Sequence, residues 1–311
     1  MPETIFKAEN VEKQYRKVFN HKTLYALNGI NMEIHQGDIY GFVGKNGAGK
    51  TTLIRILAGL VTPTKGEIEL FGERNPKTLY IPRSRINGII ETPAITPGLT
   101  AWDNMEIRCI QRGIKDKNCI SKAFEAVGLK KADIKGVKTK NFSLGMKQRL
   151  SIAMALVGNP EFLFFDEPFN GLDPVGIKEF SNLIKRLNKE RGITFLISSH
   201  QLDELKEIAT CYGFIHKGKM LEQISAEDLE QKFKRYMRFR VDNVEAAEKI
   251  LRETFHATKV EIVSDNTINL YEQLNRGGEI TKVLIMGGVT VEEMTVEGES
   301  LKKYYLSLIK E

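Results

Sequence analysis

An apolar run ending at Val43 passes directly into Gly44-Lys45-Asn46-Gly47-Ala48-Gly49-Lys50-Thr51, and a helical stretch follows from Lys50 to Leu60. No other feature of the chain constrains its fold as much. The octet fits G-x-x-x-x-G-K-[ST], a pattern that carries meaning only between a strand and a helix, which is the context predicted here. Its glycines let successive N–H groups turn inward, and the head of the helix adds partial positive charge. Such a loop is built to hold phosphates. Lys50 is expected on the β/γ oxygens, and the Thr51 hydroxyl, with Thr52 beside it, next to Mg²⁺. The loop alone implies a bound nucleoside triphosphate and leaves open which kind of machine uses it.

Around this loop, short apolar strands alternate with helices, a pattern that predicts α/β layering with strands delivering loops to one edge. Strands are expected at Asp38 to Val43, Gly66 to Phe71, Ile86 to Ile90, Phe162 to Asp166, Ile193 to Ser198 and Tyr212 to His216. Met105 to Gly128 reads as helical with a break near Gly113, and residues 145 to 158 as another helix. Asp173 followed by Pro174 opens a further helix, since Asp is a favoured N-cap and Pro at the first position loses only an unpaired N–H. From Ala226 the pattern changes to an amphipathic helix, strands near Arg238 to Val241 and Lys259 to Ile262, and a helix from Ser300 to Ile309. This reads as a small α+β appendage.

The apolar runs, such as Ile152 to Val157 and Phe162 to Phe165, fall well short of the roughly 18 residues that span a bilayer. Met1 to Asn10 mixes Glu and Lys with apolar residues and has no signal-peptide core. A cytoplasmic location is therefore expected. Cys109, Cys119 and Cys211 lack metal-ligand spacing and read as reduced structural residues. The net charge of +6 sits in the first domain: residues 1 to 226 carry 33 Lys+Arg against 24 Asp+Glu, and residues 227 to 311 carry 13 against 16. Lys115, Lys117, Lys122, Lys130, Lys131, Lys135, Lys138 and Lys140 make one basic stretch. A solvated face is the better reading of it, with an anionic surface as the alternative.

Further along, Phe142-Ser143-Leu144-Gly145-Met146-Lys147-Gln148-Arg149 lies upstream of Phe162-Leu163-Phe164-Phe165-Asp166-Glu167. The first segment resembles the signature motif of ABC (ATP-binding cassette) ATPases, usually written LSGGQ. Leu144 and Met146 depart from it, whereas Ser143 and Gly145 are kept. The resemblance covers most of residues 1 to 224 and implies a P-loop NTPase of the ABC cassette type with a helical lobe. It implies that Ser143 and Gly145 close on the γ-phosphate held by an opposite subunit, that Asp166 holds Mg²⁺, and that Glu167 is the general base for the attacking water. Asn170-Gly171-Leu172-Asp173 falls at the family's D-loop and His200 at its switch histidine, expected to hold Glu167 and water in line. Tyr15, about thirty residues before the loop, falls where the family stacks an aromatic on adenine.

One position departs informatively. Glu91, in Gly88-Ile89-Ile90-Glu91-Thr92-Pro93, stands where the family keeps a metal-ligating Gln; a carboxylate retains an oxygen ligand and adds negative charge beside Mg²⁺. The stretch Ile90 to Thr100 with Trp102 to Met105 resembles the subgroup that exports bacitracin-like and lantibiotic peptides, often for self-immunity. The resemblance thus implies an ATP- and Mg²⁺-dependent ATPase that powers a transporter. Its ATP-binding domain is expected over residues 1–225, with the lobe at about 92–160, and an accessory domain over 226–311. Expected partners are a second copy and a separate membrane permease, with the chain peripheral on the inner face of the membrane and no nucleic acid bound. The alternative is a soluble ABC ATPase acting on ribosomes or DNA; the paired cassettes and long coiled coils of those groups are not seen in this sequence.

Overall fold

The computed structural model describes residues 2–16, 23–91, 94–130, 134–232, 236–298 and 301–310. Thr92, Pro93, Lys131 and Ser300 of the expectations above lie outside the described residues. Contacts gather the chain into two compact units, one up to Ala226 and the other from Glu227.

The first unit is built on a six-stranded sheet ordered β5-β6-β7-β3-β8-β9, with β3 Ile39–Val43, β5 Ile86–Ile89, β6 Phe162–Asp166, β7 Thr194–Ser199, β8 Cys211–His216 and β9 Lys219–Ser225. The first five pair in parallel, and β9 returns antiparallel along β8. Every residue of β3, β6 and β7 is buried, as expected of central parallel strands covered on both faces. A second, antiparallel sheet runs β2-β1-β4, made of β1 Thr4–Arg16, β2 Thr23–His35 and β4 Lys65–Leu70. Ile5, Phe6, Leu27 and Ile34 from this sheet join Phe42, Leu53, Phe162 and Ile215 in one core.

The core fixes the ends of the strands that matter most. Phe165 and Phe169 flank Asp166-Glu167, and both rings pack edge-on against Phe180 of the helix Pro174–Arg191, with centroids 6.0 and 5.2 Å away. Such pairs add roughly 0.5–1.5 kcal/mol each beyond the burial of the rings. The turn after β6 is therefore clamped from below. The helix itself starts as its sequence predicts: Asp173 caps it, accepting from the Gly176 N–H at 2.7 Å, and Pro174 occupies its first turn.

The lobe contains the helices Ala101–Gln111, Asn118–Val127 and Leu144–Leu156. The first begins earlier than Met105, because Thr100 and Asp103 form a reciprocal capping box that starts the helix at Ala101. The predicted break is present at Gly113, with φ 66°. Among the described residues Lys115, Lys117, Lys122, Lys130, Lys135, Lys138 and Lys140 are exposed, which both readings of this basic stretch require. No helix of the described residues is long and apolar enough to cross a membrane.

The second unit runs β10 Tyr236–Val241, helix Val244–Phe255, β11 Val260–Ser264, β12 Thr267–Leu270, helix Gly277–Met286 and β13 Val291–Glu297. Its antiparallel sheet is ordered β11-β12-β10-β13. This βαββαβ order with that sheet is the split βαβ, ferredoxin-like arrangement, an α+β fold. Met237, Phe239, Val241, Ile268 and Leu270 meet Leu251 and Leu284 in its own core. Helices Ala226–Lys232 and Leu301–Lys310 flank it in sequence.

Gly88 reports how closely the parallel strands approach. A Cβ at this position would lie 2.1 Å from the carbonyl oxygen of Phe164 on the neighbouring strand, so β5 and β6 would have to separate. Gly88→Ala is expected to destabilise the first unit by roughly 3 kcal/mol, the upper range of overpacking. Gly98→Ala, where a Cβ meets nothing within 4 Å, is the control. Denaturant midpoints check this; equal midpoints for the two variants would contradict the packing of β5 on β6.

Candidate functional site

The loop after β3 has the geometry its glycines permit. Gly47 and Gly49 sit at φ 78° and 115°, a region that costs a Cβ-bearing residue about 1–2 kcal/mol. Gly44 is also closed to other residues by its surroundings, because a Cβ there would lie 2.6 Å from the carbonyl oxygen of Ile215. Gly49 immediately precedes the helix Lys50–Leu57, whose first N–H groups therefore open onto the loop.

Lys50 is only 5 % exposed. Its Nζ donates to the Gly44 carbonyl at 2.5 Å and the Lys45 carbonyl at 3.4 Å, and it pairs with Glu167 Oε1 at 2.9 Å. The other oxygen of that carboxylate, Oε2, lies 2.7 Å from His200 Nδ1 and accepts from the His200 N–H at 3.3 Å. Glu167 itself has φ 52°, an unfavourable backbone for a non-glycine residue. Its N–H donates to Ser198 Oγ at 2.9 Å and the Ser198 carbonyl at 3.2 Å, which holds it in that conformation. Strain retained at this position and supported by the adjacent strand is what a site needing one fixed carboxylate direction would keep.

Asp166 forms the second half. Its Oδ2 accepts from Thr51 Oγ1 at 2.7 Å and its Oδ1 from Ser198 Oγ at 2.6 Å. Thr51 and Asp166 thus offer two hard oxygens at the head of the loop helix. That donor set fits Mg²⁺, which is usually held by one or two protein oxygens plus substrate phosphates and not by an all-protein cage. Among the described residues no cluster of three or more His, Cys, Asp and Glu side chains suits a metal.

The surroundings are electropositive on the loop side. Burial holds the His216 imidazole below its ordinary value, and the charges of Lys217 and Lys45 lower it further. On the other side, burial pushes the Glu204 carboxyl up, with the charge of Glu167 adding to it, while Ser199 Oγ donates to Glu204 at 2.9 Å. The site therefore grades from cations at the phosphate loop to carboxylates behind β6 and β7.

The structure brings Lys50, Thr51, Asp166, Glu167 and His200 into one hydrogen-bonded set, and leaves the other predicted residues around it. Glu91, with its side chain 60 % exposed, pairs with Arg55 Nη2 at 2.6 Å instead of bonding to Thr51 or Asp166. It does line the same cavity of about 550 Å³ as Asp166, Glu167 and Gln148. Ser143 caps the helix Leu144–Leu156, its Oγ accepting from Met146 N–H at 3.2 Å, and a Cβ on Gly145 would meet open space, so the head of this helix is accessible. Tyr15 stands on β1, partly exposed, with Lys13 Nζ 5.3 Å from its ring. Lys45, Asn46 and Gly47 are exposed, Ala48 is buried, and Thr52 is half-buried.

Three contributors were not singled out from sequence. Ser198 joins Asp166 to Glu167, Gln148 donates to the Pro168 carbonyl just past Glu167, and Arg55 holds Glu91. The only sequence signal for Ser198 is its place one strand over from Asp166, where it pairs in register.

Known proteins are similar to this chain in sequence and in fold. Residues 27–170 match the family model described as ABC transporter. The bacitracin transport ATP-binding protein BcrA of Bacillus licheniformis is 42 % identical over 98 % of this chain and 97 % of its own length. The lantibiotic transport ATP-binding protein SrtF of Streptococcus pyogenes is 40 % identical over 76 % of this chain and 98 % of its own. Among solved structures, the dimeric structure of MJ0796, a bacterial ABC transporter cassette, aligns with TM-score 0.64 at 25 % identity, covering 71 % of this chain and 99 % of that one. The same cassette has been solved in a post-hydrolysis state bound to ADP and Pi, with TM-score 0.63 at 25 % identity over 71 % of this chain and 99 % of that one. On these similarities the chain belongs to the ABC transporter family as an ATP-binding subunit, in the subgroup of the bacitracin and lantibiotic transport ATPases.

Proposed function

We propose that this chain hydrolyses ATP to drive export of a peptide antibiotic or a similar amphiphile through a separate membrane permease. The observation that carries the hydrolytic part is the Lys50–Glu167–His200 chain beside the Thr51–Asp166 pair. The peptide part rests on similarity over nearly the full chain to a bacitracin transport protein. Residues 1–225 then form the ATP-binding domain and 226–311 an accessory domain.

The residues divide the work as follows. The loop N–H groups and Lys50 bind the phosphates, and Tyr15 offers a stacking surface to the base, worth about 1–3 kcal/mol. Thr51 and Asp166 would hold Mg²⁺, with Glu91 on the wall of the same cavity, and the bound cation would neutralise charge on the phosphate oxygens. Glu167 takes a proton from the attacking water, and His200 keeps its carboxylate directed at that water. Ser143 and Gly145, accessible on their helix, serve the nucleotide of a second copy, so that two copies close around two ATP molecules. Two-fold pairs are the commonest closed assembly, and the MJ0796 cassette is dimeric. The permease docks on the helical lobe, which keeps the chain at the inner face of the membrane.

Expression of the chain with its permease in a sensitive host tests the cargo. Raised resistance to bacitracin or a lantibiotic, lost with Glu167→Gln, is expected; unchanged sensitivity to both peptide classes would remove peptide export.

Glu91 tests coupling. Its exposed pair with Arg55 contributes at most about 1 kcal/mol, so Glu91→Gln should fold normally. The amide keeps an oxygen, and hydrolysis in the isolated subunit should persist, while the resistance conferred per ATP hydrolysed changes. Unaltered resistance and hydrolysis together would show the carboxylate to be neutral.

A further inference from the structure

Two helices of the lobe each bring a cysteine to one point. Cys109 lies in the last turn of Ala101–Gln111 and Cys119 in the first turn of Asn118–Val127, and their Sγ atoms are 3.5 Å apart. Both are free thiols. The separation is about 1.5 Å longer than a disulfide bond of roughly 2.05 Å, a gap that side-chain rotation can close when the two helix ends already meet. The two positions differ in access. Cys109 is 3 % exposed, whereas Cys119 is half-buried and open to solvent on one side. Burial pushes the Cys109 thiol up to about 12, and the hydrogen bond with Cys119 adds to this, so Cys109 stays protonated until a partner sulfur is activated. Cys211, alone on β8, has its thiol pushed up by burial and then by the charge of Asp38.

We propose that Cys109 and Cys119 are a reversible oxidation site, in which a peroxide converts the two thiols into a disulfide that fastens the end of one lobe helix to the start of the next. Cys119 reacts first. Its thiolate sulfur attacks one peroxide oxygen, the O–O bond breaks, and the departing hydroxide takes up a proton to leave as water, giving a sulfenic acid. The Cys109 sulfur then attacks the Cys119 sulfur, the S–O bond breaks, and the hydroxyl leaves with the Cys109 proton as a second water. Two thiols have lost two electrons and two protons, and one peroxide has become two waters. A thiol reductant reverses the bond. The cross-link would close the ten-residue step from Cys109 to Cys119, which includes the turn at Gly113.

The test uses the full chain treated with hydrogen peroxide, quenched, alkylated and digested with trypsin. Cleavage at Arg108, Arg112, Lys117 and Lys122 isolates Cys109-Ile110-Gln111-Arg112 and Asn118-Cys119-Ile120-Ser121-Lys122. The expected result is one linked species lighter by two hydrogens than the two peptides together, separated by dithiothreitol, with free thiols falling from three to one and Cys211 still alkylated. Cys109→Ser should let Cys119 be trapped as a sulfenic acid by dimedone, and Cys119→Ser should leave Cys109 alkylatable. Separate alkylated peptides after oxidation, over-oxidised Cys119 beside intact Cys109, or oxidation of Cys109 in Cys119→Ser would each overturn the proposal.

Discussion

Glu167→Gln is expected to slow ATP hydrolysis by roughly 10²-fold or more, the scale of a lost general base, and at the same time to tighten ATP binding. The second effect follows from the geometry. Lys50 Nζ is held at 2.9 Å by Glu167 Oε1, so a phosphate that recruits this lysine must draw it away from the carboxylate. The amide has nearly the same shape but no charge, which removes the competitor while preserving a partner for the His200 N–H. A partly desolvated pair of this kind contributes about 0.6–1.4 kcal/mol, and ATP affinity should rise roughly three- to tenfold. Equilibrium binding and single-turnover phosphate release measure the two effects separately. Undiminished hydrolysis would take Glu167 out of the base role; weakened binding would mean that its pair with Lys50 does not oppose the nucleotide.

Lys50→Ala should act in the opposite sense on binding. A charge-assisted contact from a buried lysine to phosphate is worth about 1.5–3 kcal/mol, so ATP affinity should fall roughly 10- to 100-fold and turnover should be lost with it. The variant also leaves the Glu167 carboxylate with the His200 ring, 2.7 Å away, as its remaining side-chain partner. Folding is expected to survive, because the variant removes only the side-chain donor to the Gly44 and Lys45 carbonyls and leaves the backbone pairing of β3 with β7 and β8 intact. Titration of a fluorescent ATP analogue checks this; unchanged affinity would show that the loop is not the phosphate site.

Much of this site could be read in the sequence because its parts are governed by local rules. A phosphate loop needs glycine where φ is positive, as at Gly47 and Gly49, and those residues are therefore visible in the motif. Asp173-Pro174 announced its helix for the same reason. Parts set by long-range packing were not legible. The 13-residue strands β1 and β2 carry register shifts around Ala8, Val11 and Lys13 that break the simple alternation of apolar and polar residues. β9 turns back through Lys217 and Gly218, both at positive φ, and lysine is an unusual residue for such a turn. In the second unit, the helix Gly277–Met286 opens with two glycines and no side-chain cap, so its propensity is hidden until Ile280 and Leu284 join the unit's core.

The site's fine structure shows the same division. The pairing of Glu91 with Arg55 spans 36 positions and follows from no motif. The meeting of Cys109 and Cys119 depends on how two helices pack and not on their ten-residue spacing. Ser198 is tied to Asp166 only through the register of β6 and β7. In each case the residue types were ordinary and the fold supplied the relation.

The proposed reaction is carried out by two copies of this chain, with Lys50, Thr51, Asp166, Glu167 and His200 of one copy and Ser143 and Gly145 of the other. Its most direct test is phosphate release from Mg²⁺-ATP by the purified chain over a range of protein concentrations. Paired sites predict activity that grows more steeply than linearly with concentration at low protein, becomes linear once dimers saturate, and vanishes on chelation of Mg²⁺. Strictly proportional turnover down to the lowest concentration in a chain that sediments as a monomer, or no phosphate released at any concentration, would contradict it.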